Sequence, residues 1–120
     1  MSNICFIGGG NMATSLIGGL IAQGHAANSI SVSDPNEAQR EQLTTQYGIN
    51  TFADCAPALA DADIVVLAVK PQVMKDVALI VAKAAEQSSK QPLFVSIAAG
   101  INLYSLQQWL GKDQAIVRCM

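Results

Sequence analysis

Short apolar runs alternate with longer amphipathic segments along the chain, and this alternation constrains the fold more than any other feature. Each segment between two runs has the length and periodicity of a helix, as in βαβ units. Right-handed crossovers then predict an α/β fold, a doubly wound parallel sheet of about six strands in the order 3-2-1-4-5-6. The predicted strands are residues 4–7, 30–33, 50–52, 63–69, 93–97 and 115–118.

The run Asp63–Val69 is apolar at successive positions, which is typical of a central strand covered by helices on both faces. A core is available for such a sheet, since 51% of the 120 residues are hydrophobic and 13% are charged. This length suits one domain. We therefore predict a single domain over residues 1–120.

A glycine-rich turn follows the first predicted strand and opens a helix. Gly8, Gly9, Gly10, Asn11, Met12 and Ala13 match the pattern G-x-G-x-x-G/A. Gly8 permits a tight turn, Gly10 lets a pyrophosphate approach the backbone, and Ala13 lets the helix lie close to the sheet. Gly9 occupies the unconstrained position of the pattern. Met12 and Leu16 are predicted on the apolar face of the helix, with Ala13 and Ile17 broadening it. In this context the turn predicts a dinucleotide-binding domain of the Rossmann type.

Asp34 follows the second predicted strand and has two interpretations. An acid at this place can bind the ribose hydroxyls of a dinucleotide. Asp34 can also be the N-cap of the next helix, with Pro35 at its first position and Glu37 completing a capping box. An acid would repel a 2′-phosphate and the nearest basic residue is Arg40, so the chemistry alone slightly favours NAD.

Two further segments follow central strands, at the edge where open α/β sheets bind ligands. Ala68, Val69, Lys70 and Pro71 follow the fourth strand, and Ala98, Ala99 and Gly100 follow the fifth. The alternatives are that Lys70 is a surface charge and that residues 98–100 form an ordinary turn. The small side chains at the second exit favour a cofactor-facing role.

Charge and composition argue against several other classes. The net charge is −2 and no basic cluster is present, so a nucleic-acid partner is not expected. The apolar runs are too short to span a membrane, and no signal peptide is evident, which predicts a cytoplasmic protein. Cys5 and Cys119 are interpreted as small buried hydrophobes. The single histidine, His25, is predicted at the surface, and no metal site is expected.

Three passages together carry a resemblance to a known family. They are Phe6–Met12, Leu67–Pro71 and Val95–Ile101, and the closing Val117–Met120 is similar to the start of an R-C/A-M-P-N-T-P signature. In this order and spacing the chain resembles the pyrroline-5-carboxylate reductases. The resemblance extends over all 120 residues.

The resemblance implies reduction of the imine L-1-pyrroline-5-carboxylate to L-proline by a reduced nicotinamide, usually NADPH and in several members NADH. Cofactor contacts would come from Ile7–Met12, from Ser33 and Asp34, from Ala68–Pro71 and from Ala98–Gly100. Family members continue into a helical domain that forms a homodimer and closes the substrate site. The chain therefore resembles the N-terminal part, and we assign no catalytic residue within it.

Two departures from the family pattern and two alternative functions remain open. Asp34 is acidic where many relatives are neutral or basic, and Cys55 stands where relatives often have asparagine. Another reductase, similar to the β-hydroxyacid dehydrogenases, would share the glycine turn. A cofactor-binding module without chemistry is the alternative from a different class.

Overall fold

A computed structural model describes residues 2–88 and 90–119, and the strands of this part form one six-stranded sheet. All pairings are parallel, and the order is β3-β2-β1-β4-β5-β6, which confirms the prediction. The strands are β1 (Ile4–Ile7), β2 (Ile30–Ser33), β3 (Asn50–Phe52), β4 (Ile64–Leu67), β5 (Leu93–Ser96) and β6 (Ile116–Arg118). The helices are α1 (Asn11–Ala22), α2 (Glu37–Tyr47), α3 (Cys55–Leu59), α4 (Pro71–Glu86) and α5 (Leu103–Leu110), with a 3₁₀ turn at Ala27–Ser29.

Both faces of the sheet are buried because successive side chains of each strand point to opposite sides. In β1, Ile4 and Phe6 pack in a cluster with residues of α1 and α2. Cys5 and Ile7 join a second cluster with residues of α3, α4 and α5. The continuous apolar character of β1 and β4 follows from this two-sided burial.

Two expectations about individual elements are corrected. In α1 the buried residues are Ala13 and Ile17, whereas Met12 is 60% exposed and Leu16 41% exposed. The face of α1 that packs on the sheet is formed by Ala13 and Ile17, and Met12 and Leu16 lie beside it on the outer side of the helix. The fourth strand ends at Leu67 rather than Val69, because the chain turns there toward α4.

The prediction that Cys119 is buried is wrong, whereas Cys5 is buried as expected. Cys5 lies on the central strand β1, which has helices on both sides. Cys119 follows β6, an edge strand with one neighbour, and is exposed. His25 is partly exposed, and its ring Nε2 lies 3.1 Å from the carbonyl oxygen of Ser2. Within residues 2–88 and 90–119 no helix is long and apolar enough to cross a membrane.

Candidate functional site

A cleft of about 320 Å³ opens at the carboxyl ends of β1, β2 and β4. This edge is where open parallel sheets bind their ligands. It brings together residues that the sequence predicted from three separate segments. The lining residues are Ile7, Gly8, Gly9, Gly10, Ser33, Asp34, Pro35, Ala68, Val69, Lys70, Val73 and Val77.

Gly8 makes the turn out of β1 and lies directly against the exit of β4. Its φ is +100°, in the region that favours glycine. A Cβ at this position would lie 2.8 Å from the carbonyl oxygen of Ala68 and 3.1 Å from Cγ1 of Val69. Gly8 N–H donates to the carbonyl oxygen of Ser33 at 2.8 Å. The turn therefore starts from a position fixed by both neighbouring strands.

Gly9 is not the loosely constrained residue that the pattern suggests. It is buried, and a Cβ there would lie 2.9 Å from Cδ1 of Leu43 and 3.0 Å from Cγ1 of Val32. Its N–H donates to Oδ2 of Asp34 at 2.8 Å. Its carbonyl oxygen accepts from Nε2 of Gln39. Packing against β2 and α2 thus requires glycine at this position as well.

Gly10 has the opposite environment, open to the cleft. It is exposed, and a Cβ built on it would meet nothing within 4 Å. Gly10 is also the N-cap of α1, and no side chain caps that helix end. No acidic residue occupies the first turn of α1, and among the described residues no side chain caps it, so the first N–H groups of the helix lie open to a ligand. This arrangement fits an anionic group such as a pyrophosphate.

Asp34 is not the N-cap of α2, so that part of the prediction is wrong. The N-cap of α2 is Asn36, whose side chain accepts from Gln39 N–H at 3.1 Å. Asp34 stands two residues earlier, where its Oδ1 accepts from Asn36 N–H and its Oδ2 from Gly9 N–H, both at 2.8 Å. Its carboxylate therefore links the entry of α2 to the glycine turn.

One cation, Lys70, lines the cleft, and a second, Arg40, lies beside the end of β2 without lining it. Arg40 on α2 donates from Nη1 to the carbonyl oxygen of Asp34 at 2.8 Å, which keeps its guanidinium beside the end of β2. Lys70 is exposed at the start of α4, where Pro71 occupies the first helical position. Ser33 is 7% exposed and contributes little surface to the cleft.

The remaining predicted residues lie outside this cleft. Asn11 and Met12 are exposed on the first turn of α1, and Pro71 begins α4. Ala98, Ala99 and Gly100 follow β5, one strand further along the same edge, and do not line it. Ala98 is buried and Ala99 is exposed, while Gly100 has a φ of +84°.

Comparison with known proteins gives the family. Residues 3–100 match the family described as NADP oxidoreductase, coenzyme F420-dependent. The chain belongs to this family. The pyrroline-5-carboxylate reductase of Pseudomonas aeruginosa is 51% identical over 117 residues, which cover 98% of this chain and 42% of the relative. The chain thus spans less than half the length of this relative.

Solved structures agree with this relationship. The pyrroline-5-carboxylate reductase of Coxiella burnetii superposes with a TM-score of 0.93 at 39% identity, over 99% of this chain and 43% of the other. The NADP-bound pyrroline carboxylate reductase of Plasmodium falciparum superposes at 0.80 with 21% identity, over 98% of this chain and 41% of the other, and shows the shared fold. The resemblance to the N-terminal part of pyrroline-5-carboxylate reductases is confirmed.

Sequence reasoning missed three contributors to the site. Val73 and Val77 line the cleft from α4, and Gln39 contacts the glycine turn from α2. The two valines are apolar residues of an amphipathic helix, a pattern that gives no signal of a ligand. The signal for Gln39 is the segment Asn36–Gln39, which has the same capping-box spacing as the overlapping pattern Asp34–Glu37.

Cys55 lies beside the site, and its environment does not activate the thiol. Cys55 lines a neighbouring cleft of about 220 Å³, which shares Pro35 and Val77 with the first. Burial is the main cause that raises the pKa of Cys55. Burial also raises the pKa of Cys5 to about 12, with a smaller electrostatic contribution from Cys55. Neither thiol is activated as a nucleophile. Within the described part of the chain no group of three metal-ligating side chains occurs.

Proposed function

We propose that residues 1–120 form the dinucleotide-binding domain of an NAD(P)H-dependent pyrroline-5-carboxylate reductase, with NADP(H) as the main cofactor and NAD(H) also accepted. The observation that carries the proposal is the open Gly10 at an uncapped helix N-terminus, beside a cleft at the carboxyl edge of the sheet. The reaction is reduction of L-1-pyrroline-5-carboxylate to L-proline, the last step of proline biosynthesis. It is supported by the similarity to named reductases across nearly the whole chain.

The described residues bind and orient the cofactor in this proposal. Ile7–Met12 surround the pyrophosphate with backbone N–H groups, and Ser33 and Asp34 flank the adenosine ribose. Ala68–Pro71 and Ala98–Gly100 line the route to the nicotinamide. When bound, the reduced nicotinamide supplies the hydride, and the chain contributes position rather than a proton donor or nucleophile.

The proposed partners follow from the same assignment. The substrate is a small cyclic imine with a carboxylate, and neither nucleic acid nor a membrane is a partner. Homo-oligomerisation would use the region that relatives carry beyond the part matched here. The proposed location is the cytoplasm.

Gly10→Val tests the site directly. The branched side chain would stand where the pyrophosphate approaches, so the Kd for NADPH should rise at least about tenfold, or about 1.4 kcal/mol. Gly19→Val is the matched control, since Gly19 lies on the same helix with nothing within 4 Å of its Cβ position. Calorimetric titration of NADPH into the three proteins gives the result. Equal affinity for Gly10→Val and the wild-type chain would rule out the assigned site.

A further inference from the structure

The side chain of Gln39 is turned away from its usual helix-end partner. Gln39 is the third residue of α2, where a capping-box side chain reaches back to the N–H of the N-cap residue. Here that N–H, on Asn36, donates instead to Oδ1 of Asp34 at 2.8 Å. The Gln39 amide is therefore free to donate from Nε2 to the carbonyl oxygen of Gly9, 30 positions earlier in the chain.

The two peptide units that flank Gly9 are held from α2 and its entry. Oδ2 of Asp34 accepts the Gly9 N–H and so holds the Gly8–Gly9 peptide. Gln39 donates to the Gly9 carbonyl and so holds the Gly9–Gly10 peptide. The hydroxyl of Thr14 is a weaker second donor, since it lies 3.3 Å from the Gly9 carbonyl and 2.8 Å from that of Gly10.

The orientation of the second peptide determines where the Gly10 N–H points. In a trans peptide the C=O and the following N–H point in opposite directions. With its carbonyl directed at Gln39, the Gly9–Gly10 peptide directs the Gly10 N–H away from α2. Gly10 is exposed and lines the cleft.

We propose that Gln39 is a positioning residue for cofactor binding, which together with Asp34 fixes the glycine turn in the orientation that receives the pyrophosphate. This inference rests on the proposed cofactor-binding function. Because the turn is ordered before the ligand arrives, binding avoids the entropy loss of ordering it. The effect should appear only with ligands that carry a pyrophosphate.

Gln39→Met tests the proposal because methionine keeps the length and helix propensity of glutamine but lacks the donor. Gln42→Met is the matched control, on the exposed side of α2. The ligands are ADP-ribose, which has a pyrophosphate, and 2′-AMP, which has none. In Gln39→Met the Kd for ADP-ribose should rise by about threefold to tenfold, as expected for one lost hydrogen bond, while the Kd for 2′-AMP stays unchanged. Gln42→Met should change neither.

A second variant, Gln39→Glu, places an acceptor against the Gly9 carbonyl and should weaken the binding of ADP-ribose at least as much as Gln39→Met does. Circular dichroism and thermal melting identify any loss of folding. An equal loss of affinity for ADP-ribose and 2′-AMP would indicate general damage to α2 and overturn the positioning role. Unchanged binding of ADP-ribose would overturn it as well. If the wild-type chain binds neither ligand, the proposed cofactor function itself fails. If it binds both and the variants match it, only the positioning role fails.

Discussion

Three adjacent glycines meet three different physical requirements at the residue scale. Gly8 needs a positive φ and close contact with β4, Gly9 needs space between β2 and α2, and Gly10 leaves space for a ligand. The sequence pattern alone assigns roles to the first and third. The role of Gly9 depends on Val32, Leu43 and Asp34, which the fold brings together from distant positions.

Gly8→Ala should lower the free energy of unfolding by more than backbone strain alone would. The strained φ costs about 1–3 kcal/mol, and the clash with the carbonyl of Ala68 adds to it. Gly24→Ala is the control, because Gly24 has a φ of +95° with nothing within 4 Å of the Cβ position. Denaturant unfolding of both variants separates the two contributions. Equal losses of unfolding free energy in the two variants would show that the close contact with Ala68 adds nothing to the cost of backbone strain.

Asp34→Ser should weaken the binding of both NADH and NADPH while raising the preference for NADPH. The serine side chain is shorter and has one oxygen where Asp34 uses two, so it does not reproduce both contacts with Gly9 N–H and Asn36 N–H and the turn loses order. It also removes a negative charge that would face a 2′-phosphate. Two unit charges about 4 Å apart interact by about 4 kcal/mol at an effective dielectric of 20, and solvent reduces this. In calorimetric titrations we expect the Kd for NADH divided by the Kd for NADPH to rise about tenfold, which is a stronger preference for NADPH. An unchanged ratio would mean that the carboxylate acts only on the turn.

The position of Asp34 was predictable, but its contacts were not. Two capping patterns overlap, Asp34–Glu37 and Asn36–Gln39, and sequence spacing does not decide between them. The fold decides, because Gly9 approaches Asp34 from β1 and occupies one of its carboxylate oxygens. Gln39 was missed for the same reason, since its partner lies 30 residues away.

At the scale of elements, strand order and helix type were predictable from periodicity, whereas the faces of some helices were not. The larger apolar residue Met12 is exposed and the smaller Ala13 is buried, because steric fit against the sheet decides which side chain is buried. Polar contacts at the opposite edge of the sheet were also not predicted. There Asp63 precedes β4 and accepts from Asn3 N–H at 2.8 Å and from Nζ of Lys90 at 3.2 Å.

These contacts predict how stability depends on pH. The hydrogen bond from Asn3, and then that from Lys90, lowers the pKa of Asp63. A lowered folded-state pKa stabilises the protein above the unfolded value of about 3.9, and this stabilisation disappears as the pH falls through the folded pKa. Asp63→Asn should therefore be less stable than wild type at pH 7, with the difference shrinking below about pH 4. Asp61→Asn is the control, since Asp61 contributes its backbone carbonyl to these contacts. Urea unfolding of the variants and the wild type at pH 7 and at a pH below about 4 gives the comparison. A difference independent of pH would exclude the carboxylate as its cause.

At the scale of the whole molecule, the fold and the family could be predicted because the motifs lie on the segments that build the sheet. The exits of β4 and β5 were identified because they directly follow predicted central strands, which is a local signal. The substrate site is a different matter. The chain spans 42% of the Pseudomonas aeruginosa reductase, and Lys70 is the one cation among the described residues that line the cleft.

We expect the 120-residue chain to bind NADPH but not to reduce pyrroline-5-carboxylate at a useful rate. Hydride transfer requires the imine carbon to be held against the nicotinamide, and loss of such orientation costs orders of magnitude in rate. One exposed lysine does not provide the set of donors that would hold the substrate carboxylate. The measurement is imine-dependent oxidation of NADPH, with the full-length Pseudomonas aeruginosa reductase as the positive control and calorimetry to confirm that the chain binds NADPH. We expect turnover at least about a thousandfold below that of the control. Comparable turnover would place the substrate-binding residues within these 120 positions and contradict the assignment of a binding role alone.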